Sequence, residues 1–184
     1  FVLCTSVRVM RALHDLLHDT WRYPSFLQGQ MPKRALLERF REAGNGVLFA
    51  TLSFWEGVDV PGEALSCVII DRLPFAVPDD PVVQAYVERL KMQGRDWFKE
   101  YTLPEAILRL KQGFGRLIRT ATDRGVVAIL DARLSTKYYG RNVIRALPAC
   151  GRIQTPEALH AFFDEVGPGG PDPLAPVLSP NGVS

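Results

Sequence analysis

The chain has 184 residues, three cysteines and a formal net charge of +2. That length suits one domain with a real hydrophobic core, and 47% hydrophobic with 23% charged residues is ordinary for a globular protein, so composition names no function. The low charge confines any nucleic-acid surface to a local patch, no apolar run reaches the ~18 residues of a membrane span, and Cys4, Cys67 and Cys150 are too far apart in sequence for a disulfide framework or, by spacing, a zinc or iron–sulfur site.

"FVLCTS" (1–6) is a short apolar run that ends in two hydroxyls. It reads as a strand already under way at Phe1, so the chain is expected to be a piece of a longer protein. Val9, Leu13, Leu16 and Leu17 then recur at helical spacing. "SFLQGQ" (25–30) reads as a short strand. Pro32 suits the first position of a helix, whose apolar face is Leu36, Leu37 and Phe40 and whose stop is Gly44. "GVLFAT" (46–51) reads as a buried strand, and "TLSFWEGVDVPGEAL" as a loop punctuated by Gly57, Pro61 and Gly62. "SCVIIDRL" (66–73) is a second buried strand. The proline-rich "PFAVPDDP" leads into a helix near 82–94, and one helical turn or irregular chain is expected at 97–101. A long helix follows from about Pro104 to Thr120, and "GVVAILD" (125–131) is a further strand. Continuous apolar strands alternating with helices predict an α/β fold with a parallel sheet covered on both faces. The last 18 residues (167–184), rich in Pro, Gly and Ser, are expected to form a disordered tail. No signal peptide is visible. The cysteines read as buried thiols of a reducing compartment, and a cytoplasmic location is expected.

The segment "LKQGFGRLIRT" (110–120) poses a physical question. Two mid-helix glycines cost about 1 kcal/mol each relative to alanine. On a helical wheel Gln112, Arg116, Arg119 and Arg109 share one narrow stripe, opposite Leu103, Ala106, Ile107, Leu110, Phe114, Leu117 and Ile118. A solvated arginine face accounts for the charges but not for Gly113 and Gly115. A ligand or a second backbone approaching that face accounts for both. Arginine presents donors in a rigid fork suited to phosphate oxygens.

"QGFGRLIRT" resembles motif VI (Q-x-x-G-R-x-x-R) of superfamily 2 helicases. "ATLSFWEGVDVPG" resembles motif V in the form found in DinG-type helicases, relatives of XPD, and "VLCTS" resembles motif IV. "LPFAVPDDP", "WFKEYTLPEAILRLKQGFGRLIR" and "DRGVVAILDAR" resemble the same family, in the same order, from residue 1 to about 150. The resemblance implies a RecA-like domain over residues 1–166, the second of two in one polypeptide, with ATP and Mg²⁺ held between them. It implies that Arg116 and Arg119 are arginine fingers toward the γ-phosphate and that Gln112 orients them or the attacking water. It implies that Glu56, Gly57, Asp59 and Gly115 face the nucleotide, with Asp59 the ribose contact. It also implies that Thr5, Ser6, Thr51 and Ser53 hold the backbone of single-stranded DNA, and that an iron–sulfur cluster belongs only to the missing part.

Each role has a plainer counterpart in the residues themselves. Thr51 and Ser53 suit turn chemistry as well as phosphate contact. Ser6 is a natural helix cap, and either acid, Glu56 or Asp59, suits a cap. Phe54 and Trp55 are a structural pair or a stacking platform. Asp131 and Arg133 are a structural pair or cleft lining. Lys137, Arg141 and Arg145 are spaced for one helical face. His14 and His18 share a face, but no metal site is expected. No G-x-x-x-x-G-K-[ST] phosphate loop and no acidic D-E-A-H-like box occur, so this chain alone is expected to lack ATPase activity. The alternative is a non-catalytic relative that only binds nucleic acid or a protein.

Overall fold

Among the described residues seven strands form one sheet, in the spatial order Ser25–Leu27, Val47–Thr51, Val2–Cys4, Cys67–Ile70, Val126–Ile129, Val177–Leu178 and Arg152–Ile153, every pairing parallel. The computed structural model describes residues 1–56, 65–76, 80–117, 124–166 and 177–178. The strands are β1 (Val2–Cys4), β2 (Ser25–Leu27), β3 (Val47–Thr51), β4 (Cys67–Ile70), β5 (Val126–Ile129), β6 (Arg152–Ile153) and β7 (Val177–Leu178). The described helices are α1 (Val7–Leu17), α2 (Lys33–Ala43), α3 (Leu52–Glu56), α4 (Pro81–Met92), α5 (Leu103–Leu117), α6 (Arg133–Thr136), α7 (Gly140–Ala146) and α8 (Pro156–Val166).

Side chains of a strand alternate between sheet faces, and this alternation divides the core in two. Leu3, Leu48, Ala50, Val68, Ile70, Val127 and Ile129 join Leu36, Leu37 and Phe40 of α2, Leu110, Phe114 and Leu117 of α5, and Val143 of α7 on one face. Val2, Cys4 and Phe49 join Met10 of α1 on the other, with Val9, Leu13 and Leu17 packed against them. Each such Leu, Val or Phe contributes roughly 1.5–3 kcal/mol by leaving water. The expected α/β sheet with helices on both faces is therefore present.

Local chemistry sets the helix boundaries. The Ser6 hydroxyl accepts the Val9 amide at 3.3 Å and caps α1. The Asp80 carboxylate accepts the Val82 amide at 2.8 Å ahead of Pro81, which occupies the first turn of α4. Gly44 ends α2 at φ 68°, a conformation costly to any residue with a Cβ.

Three expectations change, and the helical turn expected at 97–101 is present in π-helical form. Pro32 is extended (ψ 142°) and is the cap of α2, whose helical run starts at Lys33. Residues 52–56 of the expected loop form α3, because the Thr51 hydroxyl accepts the Phe54 amide at 3.4 Å and starts a turn. Phe98–Thr102 is a π-helical turn that runs into α5, which begins at Leu103. Val177–Leu178 pair between β5 and β6 within the expected tail; the rest of 167–184 lies outside the described residues, as does the end of the expected 104–120 helix beyond Leu117.

One glycine is dictated by contact. A Cβ on Gly140, the first residue of α7, would lie 2.0 Å from the Leu134 carbonyl oxygen of α6. Backbone cannot yield there as a flexible side-chain tip can. Gly140→Ala is expected to cost about 1–3 kcal/mol, the scale of overpacking, seen as a lowered urea midpoint. An unchanged midpoint would remove the contact from the explanation of this residue.

Candidate nucleotide and nucleic-acid interface

Parallel sheets of this kind receive ligands beyond the carboxyl ends of their strands. At that edge the structure brings the four hydroxyl candidates together. Cys4 pairs with Thr51 in the ladder, so Thr5 and Ser6 leave β1 beside the point where Thr51 and Ser53 leave β3.

Both threonines are already held by a neighbouring strand. The Thr5 amide donates to Asp71 Oδ1 at 3.0 Å and its hydroxyl to Oδ2 at 3.3 Å, Asp71 being the residue that follows β4. The Thr51 amide and hydroxyl both donate to Gln28 Oε1, at 2.7 and 2.9 Å, Gln28 being the residue that follows β2. Thr51 is buried and its hydroxyl lies 3.0 Å from that of Ser53. Ser6 and Ser53 are exposed. Turn chemistry thus accounts for Thr51 and the cap for Ser6, while Ser53 is an exposed residue whose hydroxyl bonds that of Thr51.

A third lock of the same kind closes the loop after β4. Buried Asp131, after β5, accepts the Leu73 amide at 2.7 Å, and its carboxylate is gripped by the Arg133 guanidinium at 2.6–3.0 Å. The Arg133 guanidinium also lies 4.9 Å from the centre of the Phe75 ring. Of the two readings offered by the sequence, the Asp131–Arg133 structural pair is the one formed. The two aspartates titrate in opposite directions. Burial raises Asp71 above the usual carboxylate range, outweighing the bonds from Thr5 and Arg72. Burial also works on Asp131, but the Arg133 guanidinium and the amides of Leu73 and Arg133 outweigh it and hold Asp131 below that range. Burial first, then the Asp71 charge, push the Cys4 thiol up to about 12.

α5 carries the motif VI residues away from this edge. Its π-helical entry packs Phe98 against Phe75 and Tyr139, at 5.6 and 5.0 Å between ring centres, beside the strand ends. At its other end, Leu117 Cδ1 would lie 2.8 Å from a Cβ on Gly125, the residue that enters β5. Arg116 precedes Leu117 on that last described turn. The backbone of Arg116 therefore lies at the strand-start end of α5, with Gln112 about one turn earlier on the same helix. Gln112 and Gly115 are exposed, and a Cβ on Gly115 would meet nothing within 4 Å among the described residues, so no packing among them demands a glycine there. Glu56 ends α3; Gly57, Asp59 and Arg119 lie outside the described residues.

Other expectations are altered. Lys137 is the extended C-cap of α6 (ψ 144°), whereas Arg141 and Arg145 lie on α7, so the three do not share one helical face. Phe54 is buried, and Lys33 donates to its carbonyl oxygen at 2.7 Å with Nζ 4.7 Å from its ring centre. His14 is buried, stacked on His18 at 5.0 Å and edge-on to Phe49. Among the described residues no group of three His, Cys, Asp or Glu side chains is placed to hold a metal ion, and no helix is long and apolar enough to cross a membrane. Gln28, Asp71 and Lys33 are absent from the sequence-based candidates. For the first two a signal existed, a polar residue directly after an apolar run ("SFLQ", "CVIID"); Lys33 had none.

The family model described as "Helicase C-terminal domain" matches residues 1–150. The chain is 51% identical over 154 residues to an ATP-dependent DNA helicase YoaA of Escherichia coli, covering 84% of this chain and 24% of that protein. It is 42% identical over 146 residues to an ATP-dependent helicase DinG of Mycobacterium tuberculosis, covering 79% and 22%. It is also 45% identical over 153 residues to a 3'-5' exonuclease DinG of Bacillus subtilis, covering 80% and 16%. The chain thus spans less than a quarter of these relatives. A solved XPD helicase superposes with a TM-score of 0.60 at 19% identity, over 79% of this chain and 27% of that one, a likeness of fold.

The opposite shifts of Asp71 and Asp131 carry opposite signs for stability. A lowered folded pKa contributes stability that is present above the ordinary carboxylate range and lost as pH falls through the lowered value. A raised one contributes stability that is present below that range and lost as pH rises through the raised value. Asp131→Asn is therefore expected to cost about 1–3 kcal/mol at neutral pH, and less in acid. Asp71→Asn should cost little at neutral pH. Urea midpoints of both variants across the acid range check this; an equal, pH-independent loss for both would contradict it.

Proposed function

This chain belongs to the helicase C-terminal domain family, and on that premise we propose that it is the second motor domain of an ATP-dependent DNA helicase of the DinG, YoaA and XPD kind. The observation that carries the reading is the match over residues 1–150, supported by the convergence of Thr5, Ser6, Thr51 and Ser53 at one edge of the sheet. We assign residues 1–166 to the domain.

Division of labour follows from what the chain offers. It has no phosphate loop of its own, so ATP with Mg²⁺ fits only as a group shared with a first RecA-like domain of the same polypeptide. On this side, exposed Gln112 and the open space around Gly115 leave the outer face of α5 accessible to such a group. When bound, ATP supplies the phosphoryl chemistry. Arg116 and Arg119 would set their guanidinium forks against the γ-phosphate oxygens and stabilise the charge that develops there. Gln112 would orient them or the attacking water, while Glu56, Gly57 and Asp59 would line the nucleotide side. An iron–sulfur cluster does not fit this chain. Burial raises all three thiols, which opposes the thiolate form a cluster needs, so any cluster lies elsewhere in the whole protein.

At the strand-end edge, Ser53, Ser6 and loop amides would hold phosphates of single-stranded DNA without reading its sequence. The Gln28 and Asp71 locks fix where those groups stand. Closing of the two domains on the nucleotide would move this grip relative to the first domain's grip, and reopening would complete a step along the strand.

The isolated chain is expected to fold without ATPase activity. In the full-length protein, Arg119→Ala should lower DNA-stimulated kcat by roughly 10³-fold, the scale of an arginine finger. Nucleotide affinity and single-stranded DNA binding should change far less. Near-normal turnover would leave Arg119 a solvated charge, and loss of folding would make it structural; either result removes the finger assignment.

A further inference from the structure

Beyond β5, the strand-end edge carries a chain of aromatic rings that the helicase motifs do not use. It runs from Trp97 to Phe98 (6.0 Å between ring centres), to Tyr139 (5.0 Å), to Tyr138 (5.4 Å). Its middle is packed, with Tyr139 7% exposed, whereas its two ends are open, Trp97 36% and Tyr138 67% exposed. Each open end has a lysine over its ring, Lys91 Nζ at 5.2 Å from Trp97 and Lys99 Nζ at 5.9 Å from Tyr138.

The local charge completes the pattern. The acids of this surface are spent within it, Asp96 on Lys99 and Glu100 on Arg95. Lys137 and Arg141, which flank Tyr138, are exposed and meet no carboxylate among the described residues. Flat rings beside uncompensated cations are what a flexible polyanion with flat bases requires: the rings take bases of any identity and the cations take phosphates. A protein surface would offer the rings equal contact but would not call for the unpaired cations.

Position argues the same way. Thr51 ends β3, and Thr5, Asp71 and Asp131 lie just beyond β1, β4 and β5, successive strands about 4.8 Å apart. Phe75, which carries Arg133 on its ring, packs 5.9 Å from Tyr139. The aromatic chain thus adjoins the Asp131–Arg133 pair, which stands past β5 on the strand-end edge that bears the hydroxyl loops.

We propose that Tyr138 and Trp97 are base-stacking contacts for the same single strand, with Lys137 and Arg141 as their phosphate contacts. This rests on the helicase reading and adds a second segment to its DNA path. The test uses the full-length protein and a fluorescent oligo-dT of about 20 nucleotides, with affinity measured at several salt concentrations. Tyr138→Ala and Trp97→Ala should each weaken binding about tenfold, with the salt slope unchanged and Tyr138→Phe within twofold of wild type. Lys137→Ala and Arg141→Ala should each flatten the salt slope by roughly 0.7. If Trp97→Ala does not fold, the exposed Tyr138 decides alone. Wild-type affinity in Tyr138→Ala overturns the stacking proposal while leaving the helicase reading intact. An unaltered affinity with a lowered melting temperature identifies a surface that packs on another domain, and overturns it too. If wild-type protein itself fails to bind the oligonucleotide, the helicase reading falls first.

Discussion

The structure turns on one repeated bond: at the ends of parallel strands, a backbone amide that the ladder no longer serves is taken by a side chain from the strand beside it. Asp71 takes the Thr5 amide, Gln28 takes the Thr51 amide, and Asp131 takes the Leu73 amide. Strands that diverge into loops leave donors without ladder partners; the Leu73 bond is buried, where an unpaired donor costs about 1–3 kcal/mol, while the Thr51 bond is part-buried and the Thr5 bonds are exposed. Here Gln28 and Asp71 are the first residues past the ends of β2 and β4, and Asp131 is the second past the end of β5. The sheet therefore continues one step beyond its own hydrogen-bond ladder, and the loops proposed to hold DNA start from anchored positions rather than free ends.

This arrangement separates what is rigid from what is available. Thr51 is buried and spent on its locks, so it serves by starting α3 and orienting Ser53. Asp131 holds Arg133, and Arg133 in turn covers Phe75, which packs on Phe98 and Tyr139. The third lock is thereby continuous with the aromatic chain and with the π-helical entry to α5. α5 then spans about 22 Å at 1.5 Å per residue. It leads from that cluster to the turn bearing Arg116, so one packed body joins the strand-end edge to the motif VI residues.

The legible parts of the sequence were those governed by periodicity and by ordered motifs. Uninterrupted apolar runs such as "GVLFAT" and "GVVAIL" marked buried parallel strands, and the apolar stripe of α5 predicted the burial of Leu103, Ala106, Leu110, Phe114 and Leu117. What escaped was decided by partners distant in sequence. α3 looks like loop because its starting cap, Thr51, also completes a strand. Lys137, Arg141 and Arg145 keep helical spacing, yet α6 ends before Lys137 turns extended. The clamp roles of Gln28 and Asp71 depend on strand order, which periodicity does not encode, and Lys33 reaches Phe54 across 21 positions of chain. The strand pattern put Thr5, Ser6, Thr51 and Ser53 at the ends of buried strands, and the ladder brings those two ends together. Which of them are consumed by the fold could be read only from the bonds.

Strand order also governs how such a sheet assembles. β1 is a central strand, yet within this domain it precedes both of its partners, β3 and β4. β2 likewise precedes its partner β3. Both therefore pair with the same later five residues, Val47–Thr51. Loop-closure entropy is spent before those pairings return anything, which is the circumstance that slows folding in domains dominated by non-local contacts. β3 is thus the segment that joins β1 and β2 into the sheet, and until it is made those two strands carry unpaired edges and exposed apolar surface.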